Sequence, residues 1–349
     1  MAVLPYIRAM GGYVPGEQPR DGEYIKLNTN ENPYPPSPRV FEAIRATLTS
    51  DKLRKYPEPM GDTFRQVAGP IIGARPESIL IGNGSDDILT IITRTFVAPG
   101  GLIASPTPSY ILYRSLAEIQ GARFVSFPFA DGWFLPQEWT GELPDLTYVA
   151  NPNSPTGTFM DPIAVAQLAQ RTLGGRPVVL DEAYVDFAER TGMKYTVLPN
   201  LIVTRTLSKS YSLAGIRFGF AVAHPDVIRE LVKVKDSYNC DVLSLAAATA
   251  ALQDQDYLTE TRGKILATRQ RLTASLKELG FDVLPSHANF VWARRSDRPV
   301  KPLYLALKER KILVRYMDYP GYGDGLRVSV GTDAEIDRLL HELAKLLAA

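Results

Sequence analysis

The segment TLSKSYSLAGIRFG contains Lys209, the residue with the clearest capacity for covalent chemistry. It follows the apolar run LIVTRT, hydroxyl side chains including Ser208 flank it, and Arg217 lies eight residues further on. A partly desolvated lysine near other cations loses proton affinity and becomes a nucleophile that can form a Schiff base. The same lysine could instead bind a phosphate directly or be a solvated surface residue, and this segment alone leaves all three interpretations open.

Asp181 and Tyr184 follow the apolar run PVVL, within the segment DEAYVDF. An acidic residue at the end of a buried strand is costly unless a positive or hydrogen-bonding group meets it. A pyridinium nitrogen is such a group, and a carboxylate there keeps the ring protonated so that it can accept electrons. The alternative interpretation is an aspartate that caps the next helix.

Three further turns carry groups that could bind a ligand. In GNGSDD, free N–H groups before a helix favour a phosphate, with Ser85 and Asp86 nearest to it, although such capped turns are common. In PTPSYILY, Tyr110 could stack on a flat ring or be structural. NPNSPTG holds amide and hydroxyl groups in a turn, but Asn-Pro turns occur in many loops.

These segments all follow short apolar runs that helical stretches separate, which predicts buried, mostly parallel strands of an α/β sheet. The polar residues would then meet at the carboxyl edge of that sheet, where ligands bind in open α/β folds. We expect an irregular arm over residues 1–36, a large domain over 37–265, and a small α+β domain over 266–349.

The composition excludes several classes of protein. A net charge of +1 in 349 residues predicts neither a nucleic-acid nor a membrane-surface partner, and no segment has the roughly 18 apolar residues of a membrane span. The single cysteine, Cys240, fits a cytoplasmic location, and the three histidines lack the spacing of metal ligands. The turn GNGSDD also lacks the G-x-G-x-x-G spacing of a dinucleotide-binding protein.

Taken in order, nine segments resemble the fold-type I pyridoxal-5′-phosphate-dependent aminotransferases, and more narrowly the histidinol-phosphate aminotransferases. They span nearly the whole chain, so chance agreement is very improbable. The nine segments are LNTNENPYPPSP, KYPEP, GNGSDDIL, PSYILY, NPNSPTG, DEAYVDF, TLSKSYSLAGIRFGF, ILVRY and LRVSVGT.

The resemblance implies a role for each cofactor-binding residue. Lys209 would carry pyridoxal phosphate as a Schiff base, and Asp181 would pair with its pyridine nitrogen. Tyr184 would donate to the phenolic oxygen of the cofactor, and Tyr110 would stack on its ring.

The resemblance also implies how the cofactor phosphate is held. Ser208, Arg217 and the backbone of Ser85 and Asp86 would hold it, together with Tyr56 from a neighbouring subunit, which implies a homodimer with shared active sites.

Many relatives have an asparagine directly before the second proline of NPNSPTG, where its amide contacts the phenolic oxygen. Ser154 occupies that position here, and we assign the contact to the preceding Asn153.

For the substrate, the resemblance implies that Arg315 and Arg327 bind its anionic end, because a planar guanidinium suits both phosphate and carboxylate. Tyr6 matches a tyrosine near the substrate, or is a packing residue of the arm. The implied reaction is transamination between L-histidinol phosphate and 2-oxoglutarate, which gives imidazole acetol phosphate and glutamate.

Two enzymes of the same fold, an aromatic amino acid aminotransferase and a threonine-phosphate decarboxylase, remain open alternatives. The 17 tyrosines are compatible with an aromatic substrate. A non-catalytic module that binds pyridoxal phosphate, as in a transcription regulator, would require a DNA-binding domain, and the sequence predicts none.

Overall fold

Helices and strands alternate along most of the chain, as the apolar runs predict. The structure is a computed structural model that describes residues 2–12, 16–19, 22–136 and 141–348. The strands in these residues are β1 (Ile25–Leu27), β2 (Ile79–Gly82), β3 (Leu102–Thr107), β4 (Arg123–Pro128), β5 (Leu146–Ala150), β6 (Val178–Asp181), β7 (Leu201–Thr206), β8 (Gly219–Val222), β9 (Asp282–Val283), β10 (Phe290–Arg294), β11 (Ile312–Tyr319) and β12 (Gly323–Ser329).

The helices connect these strands and cover the sheets. The α-helices in the same residues are α1 (Pro5–Ala9), α2 (Pro38–Thr47), α3 (Ser50–Leu53), α4 (Asp62–Ile72), α5 (Ser85–Phe96), α6 (Leu112–Gln120), α7 (Ile163–Arg171), α8 (Pro225–Val234), α9 (Val242–Gln253), α10 (Gln255–Glu278), α11 (Lys301–Glu309) and α12 (Asp333–Ala348). Short 3-10 helices span Pro76–Ser78, Asp131–Trp133, Leu173–Gly175, Val185–Phe187 and Met193–Val197.

A seven-stranded sheet forms the centre of the fold, with the strand order β2-β8-β7-β6-β5-β3-β4. Neighbouring strands run parallel except at β8, which is antiparallel to both β2 and β7. The prediction of an α/β protein with a mostly parallel central sheet is therefore confirmed. The antiparallel direction of β8 was not predicted, because an apolar run does not show which way a strand points.

Helices cover both faces of this sheet, so its central strands are buried on both sides. In β5, Val149 belongs to one apolar cluster and Tyr148 to another, because successive side chains of a strand point to opposite faces. Every residue of β5 and β6 is buried. This explains why these strands are continuous apolar runs in the sequence rather than alternating ones.

A second sheet of five strands has the order β1-β11-β12-β10-β9 and encloses its own apolar cluster. Strand β1 comes from the predicted N-terminal arm and pairs with β11 in parallel, so this part of the arm joins the smaller sheet. The predicted boundary at residues 265 and 266 falls inside α10, which is continuous. The division into two domains stays a prediction.

The local sequence accounts for where α2 begins. Ser37 precedes it, and the Ser37 hydroxyl accepts a hydrogen bond from the backbone N–H of Arg39. Pro38 occupies the first turn, where its missing N–H costs nothing. Across the described residues, no helix combines the length and apolar character that crossing a membrane requires.

Candidate active site

A cavity of about 320 Å³ lies at the carboxyl edge of the large sheet, where β5, β6 and β7 end. The second sheet closes its other side with Arg315 and Arg327. Ten of the predicted site residues line it, namely Ser85, Asp86, Tyr110, Asp181, Tyr184, Ser208, Lys209, Arg217, Arg315 and Arg327. The edge of a parallel sheet thus collects residues that lie far apart in the sequence.

Asp181, the last residue of β6, is buried and held by three hydrogen bonds. Its Oδ2 accepts from the Tyr113 hydroxyl at 2.7 Å. Its Oδ1 accepts from the Thr204 hydroxyl and from the backbone N–H of Ala183, both at 3.2 Å. Burial raises the pKa of Asp181 to about 6, although these three donors each act to lower it. The carboxylate is therefore well oriented but lacks a cationic partner among the residues that touch it.

Lys209 lies in the turn after β7. Its ammonium group donates to the carbonyl oxygen of Thr29 at 3.3 Å and lies 5.9 Å from the ring centre of Tyr184. The Asn32 amide also donates to the backbone carbonyl of Lys209 at 3.0 Å, so the N-terminal segment holds both ends of this residue. The amine reaches the same cavity as Asp181 and Tyr184.

Tyr184 lies three residues after Asp181, and its hydroxyl accepts a 2.9 Å hydrogen bond from the side-chain amide of Asn30. The ring meets Phe290 edge-on, with ring centres 5.0 Å apart. A polar contact on one side and an aromatic contact on the other fix the direction of the phenol.

The N-terminus of α5 forms a cradle for an anion. Gly84 precedes the helix at φ 82°, a conformation that favours glycine, and Ser85 and Asp86 begin the first turn. Gly219 of β8 packs so close that a Cβ on it would lie 2.6 Å from the Ser85 nitrogen. Arg217 extends over the turn, with its guanidinium 3.6 Å from the Asp86 carboxylate.

A largely buried network of charged side chains lies next to Lys209 and Asp181 and joins the ends of β6 and β7. Arg205 forms an ion pair with Asp186 and lies 3.6 Å from Glu182, the residue after Asp181. Asp186 also accepts a hydrogen bond from Ser210, the residue after Lys209. Because it ties the neighbours of both residues together, this network supports the relative position of Lys209 and Asp181.

Arg315 and Arg327 are direct partners in the antiparallel pairing of β11 and β12. Arg327 donates to the backbone carbonyl of Asn28 at 3.0 Å and to the hydroxyl of Ser154 at 3.3 Å. Two neighbouring guanidinium groups in one cavity wall suit an anionic group.

Three predicted site residues lie outside the cavity lining. Asn153 is buried within its turn, where its amide donates to Pro108 and Thr156, and the adjacent Ser154 lines the cavity instead. Tyr6 packs against Gly121 at the end of α6. Tyr56 is 80% exposed and stacks on Tyr238 at 4.4 Å.

Sequence reasoning did not single out Tyr113, Thr204 or Asn30, although each touches a predicted site residue. Tyr113 lies inside a helix and Thr204 inside a strand, and nothing in their neighbourhoods distinguishes them from core residues. Asn30 lies in the segment LNTNENP, which was noted for its resemblance, but no role followed from it. Among the described residues, no group of three or more His, Cys, Asp or Glu side chains could hold a metal ion.

Comparisons with known proteins agree with this arrangement. The family described as aminotransferase class I and II matches residues 22–343. A histidinol-phosphate aminotransferase of Rhodopirellula baltica is 52% identical over 97% of this chain and 93% of that protein. One from Syntrophotalea carbinolica is 48% identical over 97% of both chains. The crystal structure of a histidinol-phosphate aminotransferase from Sinorhizobium meliloti in complex with pyridoxal-5′-phosphate is 28% identical, with a TM-score of 0.88 over 99% of this chain and 97% of that one.

Proposed function

Because the chain belongs to the class I and II aminotransferase family, among the histidinol-phosphate aminotransferases, we propose that it transfers the amino group of L-histidinol phosphate to 2-oxoglutarate. The products are imidazole acetol phosphate and glutamate, a step of histidine biosynthesis. The enzyme is a pyridoxal-5′-phosphate-dependent aminotransferase. The observation that carries the proposal is that the Lys209 amine, the buried Asp181 carboxylate and two arginines meet in one cavity.

The residues of the cavity fit pyridoxal phosphate. The amine of Lys209 suits its aldehyde, and the buried carboxylate of Asp181 lacks a cation that a protonated pyridine nitrogen would supply. The cradle of Ser85, Asp86 and Arg217, with Ser208 beside it, suits the phosphate group.

Two aromatic residues complete the proposed cofactor site. Tyr110 lines the cavity and lies edge-on to Tyr113, in a position suited to stacking on a flat ring. Tyr184 supplies the hydroxyl for the phenolic oxygen. Asn153, which we predicted for the same oxygen, would reach it only if the NPNSPTG turn rearranged, so Tyr184 is the better supported donor.

Lys209 and Asp181 would have different roles in the reaction. Bound pyridoxal phosphate supplies an aldehyde that captures the substrate amine and a ring that accepts the electrons of the broken Cα–H bond. When it is not bound to the cofactor, the amine of Lys209 would accept the Cα proton of the substrate as a general base. Asp181 holds a proton on the ring nitrogen. Because two substrates use one site in turn, the kinetics should be ping-pong.

Arg315 and Arg327 would bind the anionic end of each substrate in turn. The phosphate of histidinol phosphate and a carboxylate of 2-oxoglutarate both match the paired donors of a guanidinium. Tyr6 packs on α6, outside the lining of this cavity, and its place near the substrate stays a prediction.

The surface around Tyr56 supports a homodimer in which each subunit completes the phosphate site of the other. Tyr56 lines a second cavity of about 470 Å³ between α2, α4 and α9, and the nearby Leu48 and Leu53 are more than half exposed. Large exposed apolar side chains in one area are typical of protein interfaces. With its single buried cysteine, the enzyme would function in the cytoplasm.

A spectrophotometric titration of the cofactor-loaded protein tests the proposed reaction. L-histidinol phosphate should bleach the absorbance band at ~420 nm, a property of the cofactor, and 2-oxoglutarate should restore it. Bleaching by phenylalanine or tyrosine but not by histidinol phosphate would identify an aromatic aminotransferase instead. Release of carbon dioxide from threonine phosphate would identify the decarboxylase. A protein without the band would contradict the role of Lys209.

A further inference from the structure

Asn30 is a buried residue of the N-terminal segment with an unusual backbone conformation. It is 1% exposed, and its φ of 56° lies in the left-handed region, which asparagine tolerates better than most residues. It follows β1, which joins the smaller sheet, yet its side chain reaches Tyr184, three residues after the end of β6 in the larger sheet. A strained and buried polar residue that links the two sheets is a candidate for a role in the active site.

Ser329 determines which way the Asn30 amide points. The Ser329 hydroxyl accepts from the backbone N–H of Asn30 at 2.8 Å and donates to Oδ1 of Asn30 at 3.0 Å. Asn289 holds the Asn30 carbonyl oxygen at 3.0 Å. Because Oδ1 is engaged by Ser329, it is the NH₂ group of Asn30 that faces the hydroxyl of Tyr184 at 2.9 Å.

This orientation has a consequence for the Tyr184 hydroxyl. A phenol can donate one hydrogen bond and also accept, and here the Asn30 amide donates to it. Among the described residues, the Tyr184 hydroxyl has no second hydrogen bond, and the residue lines the cavity. Its proton is thus left for a group inside the cavity. A reversed amide would instead accept that proton and turn it away.

We propose that Asn30 is a positioning residue that directs the hydroxyl proton of Tyr184 into the cavity, toward the phenolic oxygen of pyridoxal phosphate. The inference rests on the proposed role of Tyr184 and adds a residue through which that role is controlled. An O–H group that accepts a hydrogen bond also becomes a stronger donor, so Asn30 both aims and strengthens the contact.

The same segment connects the substrate site to the cofactor site. Arg327 and Ser329 lie two residues apart on β12, and they bind Asn28 and Asn30, which are two residues apart on the N-terminal segment. A substrate anion that moves Arg327 toward the cavity would therefore also shift β12 and the N-terminal segment, which together orient Asn30.

The test is the pH at which the visible absorbance of the cofactor-loaded protein changes, measured without substrate. When the nitrogen that joins Lys209 to the cofactor loses its proton, negative charge remains on the phenolic oxygen. A hydrogen-bond donor to that oxygen stabilises the deprotonated form and therefore keeps the midpoint low. Asn30→Gly removes the amide, adds no charge and suits a positive φ, and it should raise the midpoint by about one pH unit. Asn30→Asp, which can accept the Tyr184 proton, should raise it further.

Tyr184→Phe distinguishes a midpoint shift that acts through the Tyr184 hydroxyl from one caused by a general change in the active site. This variant should raise the midpoint by itself, and adding Asn30→Gly to it should cause no further shift. Ser329→Ala, which frees the amide to turn, should raise the midpoint less than Asn30→Gly does. Asn200→Asp changes a buried asparagine outside the cavity lining, and it should leave the midpoint unchanged.

Two results would overturn the proposal. An unchanged midpoint in Asn30→Gly, while Tyr184→Phe raises it, would show that the amide does not act on the hydroxyl. An equal shift from Asn30→Gly in the presence and absence of Tyr184 would show that it acts by another route. A wild-type protein without the visible band would instead contradict the proposed function itself.

Discussion

The hydroxyl of Tyr113 lies 2.7 Å from Oδ2 of Asp181 and donates a hydrogen bond to it. Both side chains are buried, and the Tyr113 ring stacks on Tyr148 with ring centres 4.6 Å apart and planes at 5°. Burial, with the nearby Asp181 carboxylate as the next cause, raises the pKa of Tyr113 well above its ordinary value, so the phenol stays a donor. A rigid aromatic stack therefore orients the carboxylate that the pyridine nitrogen would meet.

Asp181→Asn should make the cofactor-free protein more stable at neutral pH. Burial raises the pKa of Asp181 from 3.8 to about 6, so the folded protein binds this proton more tightly than the unfolded chain does. The resulting stability is complete below pH 3.8 and is lost as the pH rises through about 6. Two pKa units correspond to about 3 kcal/mol, which the charged carboxylate costs at pH 7.5.

Urea unfolding of the wild type and of Asp181→Asn, at pH 4.5 and pH 7.5, measures this cost. The variant's advantage should grow between the two pH values, and pyridoxal phosphate should stabilise the wild type more than the variant. The variant should keep some bound cofactor and lose most of its rate. An advantage that does not change with pH would contradict the effect of burial, and an unchanged rate would contradict the role of Asp181 as the partner of the ring nitrogen.

Tyr113→Phe should weaken both the fold and cofactor binding. The substitution removes one of three donors to a buried carboxylate, and a hydrogen bond to a charged group contributes about 1.5–3 kcal/mol. We expect the free energy of unfolding at pH 7.5 to fall by about 2 kcal/mol. We also expect the dissociation constant of pyridoxal phosphate to rise, in a fluorescence titration. Tyr195→Phe, at a tyrosine outside the cavity, serves as the control, and equal results for the two variants would argue against the contact.

Lys209→Ala should abolish transamination. The substitution removes both the amine that would carry the cofactor and the general base, so we expect a loss of roughly 10⁴-fold or more. Borohydride reduction followed by mass spectrometry should find the cofactor on the peptide of the wild type that contains Lys209, and on no peptide of the variant. Lys233→Ala, at an exposed lysine, should behave as the wild type does. Near-native turnover in Lys209→Ala would exclude the mechanism.

Gly219→Ala should impair phosphate binding without touching a catalytic group. Its Cβ would lie 2.6 Å from the Ser85 nitrogen and 2.7 Å from the Gly84 carbonyl carbon, so the cradle has to move. Such crowding costs about 1–3 kcal/mol, which would raise the dissociation constant of the cofactor about 5- to 150-fold. Equilibrium dialysis measures this constant.

Gly263→Ala is the matched control for Gly219→Ala. Gly263 lies in α10 with open space around its Cα, so an added methyl group should leave cofactor affinity unchanged and raise helix stability by up to about 1 kcal/mol. Unchanged affinity in Gly219→Ala as well would show that the cradle tolerates displacement and that the phosphate is held elsewhere.

The sequence by itself determined the α/β class and predicted ten of the residues that line the cavity. Lys209, Asp181, Tyr184 and Ser85 each follow an apolar run closely, and the carboxyl ends of parallel strands meet at one edge. The local sequence pattern was therefore enough to predict that these residues lie close together. Ser37 and Pro38 likewise account for the first turn of α2, because capping depends on adjacent residues.

Only the tertiary structure decided which polar groups meet across the fold. Tyr113 and Asp181 are 68 residues apart, and Asn30 and Tyr184 are 154 residues apart. It also decided that Ser154, rather than Asn153, faces the cavity. The spacing of apolar residues encodes which face of a strand or helix is buried, but a hydrogen bond between distant elements depends on packing, direction and register, which no local pattern contains.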